Sequence, residues 1–191
     1  MRIVIFASGN GSNAVNIIKY FSDNQKVKVV AVFSNKKEAK VLDKTNKLKI
    51  PAFSFNKFAF EDPECIPAVL HTLKPDLIVL AGFLWKIPKH LVTAFPNKII
   101  NIHPSLLPKY GGKGMYGTYV HQAVLDNREK ETGITIHYVN EEYDEGAIIF
   151  QKAVTLTPED TIETIAAKVH ELEYAHFPET IEKVLNAKLL R

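Results

Sequence analysis

The sequence predicts an α/β fold: a doubly wound, mostly parallel sheet with an antiparallel hairpin extension and a long C-terminal helix. Short runs rich in Val and Ile alternate with segments of helical periodicity through the first half of the chain. These runs are continuously apolar, as in strands buried on both faces. Strands of this kind alternating with helices are typical of a parallel sheet covered by helices on both sides.

The first half of the chain predicts four parallel strands, which are Ile3 to Ala7, Val27 to Ser34, Leu77 to Leu80 and Ile99 to Ile102. Helices are predicted between them, where apolar residues recur every three or four positions. These helices are Asn13 to Phe21, Lys36 to Leu48, Pro63 to Leu73, and Pro88 to about Phe95.

The pattern changes in the second half. The segment Ile134 to Tyr138 alternates apolar and polar residues, and a second run, Ala147 to Val154, follows the turn Asp144 to Gly146. We expect an antiparallel hairpin that extends the sheet. The chain then ends in a predicted helix from Thr161 to about Asn186, with Asp160 as its N-cap.

The chain has 191 residues, 46% hydrophobic and 24% charged, as in an ordinary globular protein. We expect a single domain over residues 1–191, since domains commonly have ~100 to 200 residues. No apolar stretch approaches the ~20 residues that cross a bilayer, and no signal-peptide pattern is present. The single cysteine, Cys65, excludes an internal disulfide and any cysteine-based zinc site. We therefore expect a cytoplasmic protein.

Charge and histidine spacing argue against two classes of partner. The net charge is +3, but only three of the 24 basic residues are arginine, the side chain that dominates recognition of bases and phosphates. A nucleic-acid partner is therefore not expected. No metal site is expected either, because the histidines lack HxxxH or HExxH spacing. Core or surface roles are expected for His71, His90, His121, His137, His170 and His176.

The segment Ser8 to Ala14 follows the first strand and opens the first helix. Ligands of open α/β sheets bind at the carboxyl ends of strands, and free N–H groups at a helix N-terminus bind anions. We therefore predict a phosphate site here. Gly9, Gly11 and Ala14 also fit the loose dinucleotide fingerprint. The dinucleotide fingerprint expects an acidic residue at the end of the second strand to bind a ribose, but here the strand ends in Ser34 to Lys37. NAD is therefore disfavoured as a ligand, whereas its 2'-phosphorylated form stays an open alternative.

A second candidate lies at the end of the predicted strand Ile99 to Ile102. Asn101 and His103 are two residues apart in extended backbone, so their side chains point to the same side. An amide beside an imidazole suits stabilisation of an oxyanion and transfer of a proton. Asp144 is either a plain turn-former or, if its turn folds over this strand end, a partner that raises the pKa of His103 and keeps it protonated.

Five segments carry a resemblance to a known family: SGNGSN at 8–13, FSNK at 33–36, PDLIVLAGF at 75–83, NIHPSLLPKY at 101–110 and YDEGAIIFQ at 143–151. Together they resemble the folate-dependent phosphoribosylglycinamide formyltransferases, which have a Rossmann-like formyltransferase fold. HPSLLP also occurs in a wider group of formyltransferases and hydrolases. The SGNGSN segment and a length without an extra domain favour the phosphoribosylglycinamide enzymes.

The resemblance implies transfer of a formyl group from the co-substrate 10-formyltetrahydrofolate to the amine of glycinamide ribonucleotide, in de novo purine biosynthesis, through a tetrahedral intermediate. It implies that Asn101 and His103 stabilise the oxyanion, that His103 donates a proton, and that Asp144 keeps His103 protonated. The partners implied are these small molecules, without metal, nucleic acid or membrane, for a monomer or homodimer.

The resemblance also implies two sets of binding residues. For the ribonucleotide and its phosphate they are Gly11, Ser12, Asn13, Pro104 and Glu173. For the folate they are Leu84, Trp85, Lys86, Ile87, Asn101, Asn140, Glu141, Glu142, Tyr143 and Asp144.

The chain departs from the family pattern in three places. Leu84 to Ile87 stands where many members have Met-Arg-Ile-Leu, and an arginine expected near Phe58 to Phe60 is missing, which removes one partner of the folate carboxylates. The segment Gly111 to Gly117 is longer and richer in glycine than the family pattern. It is either a mobile lid or a plain surface connection. If it is a lid, we expect Lys113 to contact phosphate or the glutamate tail of folate.

Three alternative functions stay open from the residues. A formyltetrahydrofolate hydrolase shares the Asn/His/Asp centre but uses water as the acceptor, and it usually carries an additional N-terminal domain. A nicotinamide-dependent oxidoreductase depends on the glycine loop alone. A non-catalytic nucleotide-binding module is the third.

Overall fold

The computed structural model describes residues 1–189. Its strands are β1 (Arg2–Phe6), β2 (Lys28–Ser34), β3 (Ala52–Ser54), β4 (Leu77–Leu80), β5 (Ile99–His103), β6 (Glu131–Tyr138) and β7 (Ile148–Thr155). They form one sheet in the order β3-β2-β1-β4-β5-β6-β7. Strands β1 to β5 are mutually parallel, and β6 and β7 are added antiparallel. The predicted fold class is confirmed.

Strand β3 was not predicted. It has three residues, lies at the edge of the sheet and pairs with β2 alone. Two of its three residues are exposed, so it lacks the continuous apolar run by which the buried strands were recognised.

The helices are α1 (Ser12–Tyr20), α2 (Lys40–Lys47), α3 (Lys57–Glu61), α4 (Cys65–Leu73), α5 (Lys89–Ala94), α6 (Thr118–Asp126) and α7 (Ile162–Leu189). Helix α2 begins four residues later than predicted, because Lys36 to Ala39 forms a turn in which the Ala39 N–H donates to the Lys36 carbonyl. Helices α3 and α6 were not predicted.

The predicted N-cap of α7 is wrong by one residue. The Thr161 hydroxyl accepts from the Thr164 N–H at 3.3 Å, and the Thr164 hydroxyl accepts from the Thr161 N–H at 2.9 Å. This reciprocal pairing satisfies the first turn in the manner of a capping box. Asp160 instead accepts from Lys168 Nζ at 2.6 Å and from the Thr157 N–H at 2.7 Å, and these bonds lower its pKa to about 2.

The sheet separates two apolar layers. On β1, Ile3 and Ile5 pack with the layer that contains α1 and α7, whereas Val4 and Phe6 pack with the layer that contains α4 and α5. Since both faces are covered, polar side chains can collect only at the strand ends. None of the described helices is long and apolar enough to cross a membrane.

Candidate active site

A cavity of about 780 Å³ opens at the carboxyl ends of β1, β4 and β5. Its walls come from the loop at 8–13, from residues 80–87 after β4, and from residues 139–144 between β6 and β7. Three segments that the sequence marked separately therefore meet around one space. This is the position at which open α/β sheets bind their ligands.

The predicted phosphate loop forms one end of this cavity. Gly11 has a φ of 74° and precedes α1, and a Cβ at this position would overlap Val41 of α2. The tight packing brings the backbone of the loop against α2, and Ser12 and Asn13, whose N–H groups have no partner within the helix, line the cavity. Asn13 Nδ2 donates to Glu173 Oε2 at 2.8 Å, which joins α1 to α7. All five predicted ribonucleotide residues line the cavity: Gly11, Ser12, Asn13, Pro104 and Glu173.

The predicted folate residues line the other end, with one exception. The exception is Glu141, which does not line the cavity and whose carboxylate lies 3.1 Å from Lys89 Nζ. Lys86 Nζ lies 3.4 Å from Glu142 Oε2 and 5.3 Å from the centre of the Tyr143 ring. The residues that line this end are Leu84, Trp85, Lys86, Ile87, Asn101, Asn140, Glu142, Tyr143 and Asp144.

The turn between β6 and β7 folds over the end of β5. Asp144 Oδ2 lies 3.5 Å from His103 Nδ1, and Asp144 Oδ1 lies 3.5 Å from Asn101 Nδ2. The Gly112 N–H donates to Asp144 Oδ2 at 2.9 Å and holds the carboxylate in place. The structure thus brings Asn101, His103 and Asp144 together, and Asp144 does more than form a turn.

Two opposed effects act on the protonation of His103. Its Nε2 lies 2.8 Å from the Tyr110 carbonyl oxygen, which can only accept, so Nε2 carries the proton and Nδ1 faces Asp144. Burial lowers the pKa of His103, and the Asp144 carboxylate and the Tyr110 carbonyl oppose this shift without reversing it. The ring is 3% exposed, so desolvation of the charged form outweighs the ion pair. The burial of the ring thus opposes the protonated state expected from Asp144, and that role of Asp144 stays a prediction.

Asp144 itself is ionised. Burial raises the pKa of this carboxyl group, but the nearby rings of His137 and His103 and the Gly112 N–H lower it by a larger amount, so that the net direction is downward. A carboxylate therefore faces the open ring nitrogen of His103.

Comparison with known proteins identifies the family. Residues 1–181 match the profile of the formyl transferase family. The chain belongs to this family. A phosphoribosylglycinamide formyltransferase of Bacillus subtilis is 38% identical over 191 residues, which covers 96% of this chain and 94% of that relative. A solved phosphoribosylglycinamide formyltransferase from Anaplasma phagocytophilum superposes with a TM-score of 0.89 at 36% identity, covering 98% of this chain and 87% of that one.

A longer relative has the same domain. The chloroplastic phosphoribosylglycinamide formyltransferase of Arabidopsis thaliana is 39% identical over 194 residues, and this chain covers 66% of its length. The resemblance stated from the sequence is confirmed, and the chain is an enzyme of the transferase class. A nicotinamide-dependent oxidoreductase has no support, since the family match runs through nearly the whole chain.

The sequence did not single out one residue of this formyltransferase site, His137 of β6. Its Nδ1 lies 2.9 Å from the Tyr138 carbonyl and therefore donates, which leaves Nε2 to accept from Asn101 Nδ2 at 3.1 Å. The ring is 2% exposed and pairs across the sheet with Asn101. His137 thus fixes the direction of the Asn101 amide. The only sequence signal was its position in a strand that pairs with β5.

The glycine-rich segment also belongs to the site. Residues 112–117 line the cavity, and the bond from the Gly112 N–H to Asp144 anchors the start of the segment. Near the missing arginine, Lys57 Nζ lies 4.9 Å from the centre of the Trp85 ring and 3.0 Å from Glu61. This formyltransferase therefore has a cation beside its predicted folate segment, one residue before Phe58.

Within residues 1–189, no group of three or more His, Cys, Asp and Glu side chains is arranged to hold a metal ion.

Proposed function

We propose that this formyltransferase transfers the formyl group of 10-formyltetrahydrofolate to the amine of glycinamide ribonucleotide, as a step of de novo purine biosynthesis. The observation that carries the proposal is the convergence of Asn101, His103 and Asp144 in one cavity, between the loop at 8–13 and the segment at 84–87. Relatives named phosphoribosylglycinamide formyltransferase, alike over nearly the full chain, support this choice of acceptor.

Each end of the cavity suits one of the two substrates. The N–H groups at the start of α1 suit the ribonucleotide phosphate, and Pro104 and Glu173 lie at the same end. The aromatic and apolar segment Leu84 to Ile87 suits the flat rings of the folate, with the turn at 140–144 opposite it. In this arrangement the amine of one substrate meets the formyl carbon of the other beside Asn101 and His103.

The reaction requires one bond to form, one to break and one proton to move. The amine nitrogen attacks the formyl carbon, and the carbonyl oxygen becomes an oxyanion that the Asn101 amide stabilises with an N–H. Neutral His103 takes the proton that the attacking nitrogen loses, and the resulting imidazolium is paired by Asp144 at 3.5 Å. His103 then gives this proton to N10 of the folate as the bond between carbon and N10 breaks. The products are formylated ribonucleotide and tetrahydrofolate.

We also propose a single formyltransferase domain over residues 1–191, acting as a monomer or homodimer in the cytoplasm. The exposed, unpaired Cys65 suits a reducing compartment. Lys113 is exposed at the edge of the cavity and suits an anionic group of either substrate.

Product analysis tests the proposed function. Purified protein is incubated with 10-formyltetrahydrofolate, with and without glycinamide ribonucleotide, and formate, tetrahydrofolate and formylated ribonucleotide are quantified. We expect formylated ribonucleotide and tetrahydrofolate in equal amounts, and neither product without the acceptor. Formate released at the same rate without ribonucleotide contradicts the proposal and indicates a hydrolase. Binding of both substrates without turnover indicates a non-catalytic module.

A further inference from the structure

His121 of α6 lies on the wall of the active-site cavity with one ring nitrogen unsatisfied. The residue is 6% exposed, and its Nδ1 has no hydrogen-bond partner among the described residues. Leaving a buried polar atom without a partner is costly, and buried polar atoms in folded proteins nearly always have one. The ring thus has hydrogen-bonding capacity that the described residues do not use, at a residue that lines the cavity.

The position of the unsatisfied atoms supports a ligand rather than a packing defect. The described residues with unsatisfied, buried side-chain atoms are Asn13, Asn35, His90, His121 and Thr132. Of these, only Asn13 and His121 line the active-site cavity. The Asn13 atom concerned is Oδ1, an acceptor, because Nδ2 of the same amide already donates to Glu173.

These groups form one polar wall, contributed by three helices. Glu173 Oε2 accepts from Asn13 Nδ2 at 2.8 Å and lies 3.1 Å from His170 Nδ1. The Glu173 carboxylate also acts on His121, where it raises the pKa, but burial lowers the pKa of this imidazole more strongly. The wall therefore combines a carboxylate, an amide oxygen and a neutral imidazole.

The chemistry of the wall selects hydroxyl groups. A carboxylate and an amide oxygen accept hydrogen bonds, and a neutral imidazole offers one donor and one acceptor nitrogen. The Glu173 carboxylate is already paired with His170, so the groups left for a ligand are acceptor oxygens and a neutral imidazole, and a hydroxyl can both donate to and accept from such groups. The anion site at Gly11 to Asn13 borders the same wall. A ribose carrying a 5'-phosphate matches the two sites together.

We infer that His121 is a specificity-determining residue for the sugar of the ribonucleotide, with its imidazole ring hydrogen-bonded to one of the two ribose hydroxyl groups. The inference depends on the proposed function for the identity of the ribonucleotide, and it adds a residue and a ligand group to that site. The sequence alone did not indicate this role of His121, because no other residue lies at metal-ligand or catalytic spacing from it.

Steady-state kinetics with His121→Phe provides the first test. We expect the KM for glycinamide ribonucleotide to rise roughly five- to tenfold, the effect of losing one hydrogen bond, while the KM for 10-formyltetrahydrofolate changes less than twofold. His121→Asn keeps a polar atom near the Nδ1 position and should recover part of the loss. The control is His90→Phe, since His90 Nε2 is also buried and unsatisfied but lies outside the cavity. Thermal melts show that each variant is folded.

Ribose analogues identify the group that His121 contacts. Wild-type protein should use one of the 2'-deoxy and 3'-deoxy ribonucleotides several times less well than the parent compound, and His121→Phe should lose that discrimination. An unchanged KM for the ribonucleotide in His121→Phe overturns the inference. The inference is also overturned if His121→Phe discriminates against the two analogues as strongly as the wild-type protein does.

Calorimetric binding of ribose 5-phosphate separates this inference from the proposed function, because it requires no formyl transfer. If ribose 5-phosphate binds His121→Phe more weakly than wild type, and the wild-type protein forms no formylated ribonucleotide, the inference is supported and the proposed function is contradicted. Formyl transfer by wild-type protein with unchanged sugar phosphate binding in His121→Phe overturns the inference alone. A wild-type protein that binds neither the ribonucleotide nor ribose 5-phosphate overturns both.

Discussion

His103 is subject to two opposed effects that the structure allows to be compared. Burial to 3% exposure disfavours the charged ring, and Asp144 favours it from 3.5 Å. Burial is the larger effect, so the pKa of the ring lies below its ordinary value, which suits a group that takes up a proton during the proposed reaction. Once the ring is protonated, both of its nitrogens face acceptors, namely Asp144 and the Tyr110 carbonyl. The site thus stabilises the charge where and when the proposed reaction creates it.

Replacing Asn101 or His103 by alanine should lower turnover by about 10² to 10³, because each replacement removes a group that stabilises the tetrahedral intermediate. The measurement is kcat for formyl transfer, with circular dichroism to confirm that the variants fold. Near-normal turnover in either folded variant contradicts the assignment of that residue.

Replacing Asp144 by asparagine should move the acidic limb of the kcat profile to lower pH. The carboxylate raises the pKa of His103, so its removal lowers that pKa further, and the neutral ring persists to lower pH. Turnover at pH 7 should also fall, since the imidazolium formed during the reaction loses its counter-charge. Glu145→Gln is the matched control, because Glu145 is an exposed residue of the same turn, does not line the cavity and loses the same charge. Superimposable profiles for wild type and Asp144→Asn remove this role.

At the scale of elements, the close packing of α1 against α2 sets the shape of the phosphate loop. Gly11→Ala should destabilise the protein by about 2 kcal/mol or more, because it introduces both a positive φ at a non-glycine residue and an overlap with Val41. The matched control is Gly9→Ala, since a Cβ at Gly9 has nothing within 4 Å. Denaturant unfolding measures both variants. Equal stability of the two would show that the loop tolerates a side chain at Gly11.

The start of α7 should contribute stability that depends on pH. The pKa of Asp160 is about 2 in the folded protein, below its ordinary value of about 4, so ionisation favours the folded state. This contribution is fully present above the unfolded pKa and is lost as pH falls from about 4 to about 2. Asp160→Asn should therefore lower the Tm at pH 7 and have little effect near pH 2. The exposed neighbour Glu159, changed to glutamine, controls for net charge; an equal effect of both variants contradicts the prediction.

At the scale of the whole molecule, the cavity joins segments from Ser8 to Glu173 and exists only when the chain is folded. A ligand that binds only the folded state at 100 times its Kd adds about 2.7 kcal/mol of stability. In a chain of this length, glycinamide ribonucleotide at that concentration should raise the Tm by roughly 5 to 11 °C. Thermal melts against ligand concentration measure the shift. A constant Tm at saturation contradicts binding in this cavity.

The amino-acid sequence by itself determined where the main buried strands lie along the chain, because burial on both faces requires continuous apolar runs such as Leu77 to Leu80. It also located the glycine turn that precedes α1, since glycine spacing at the start of a helix is a local property. It could not reveal β3 or α6, which have no comparable local signal.

Only the tertiary structure revealed the contacts of the candidate site. The lowered pKa of His103, the bond from Asn101 to His137 and the unsatisfied nitrogen of His121 all depend on burial and on contacts between residues far apart in the chain. The physical reason is that desolvation and hydrogen bonding are set by what surrounds a side chain, and the surroundings exist only once the sheet and helices have packed.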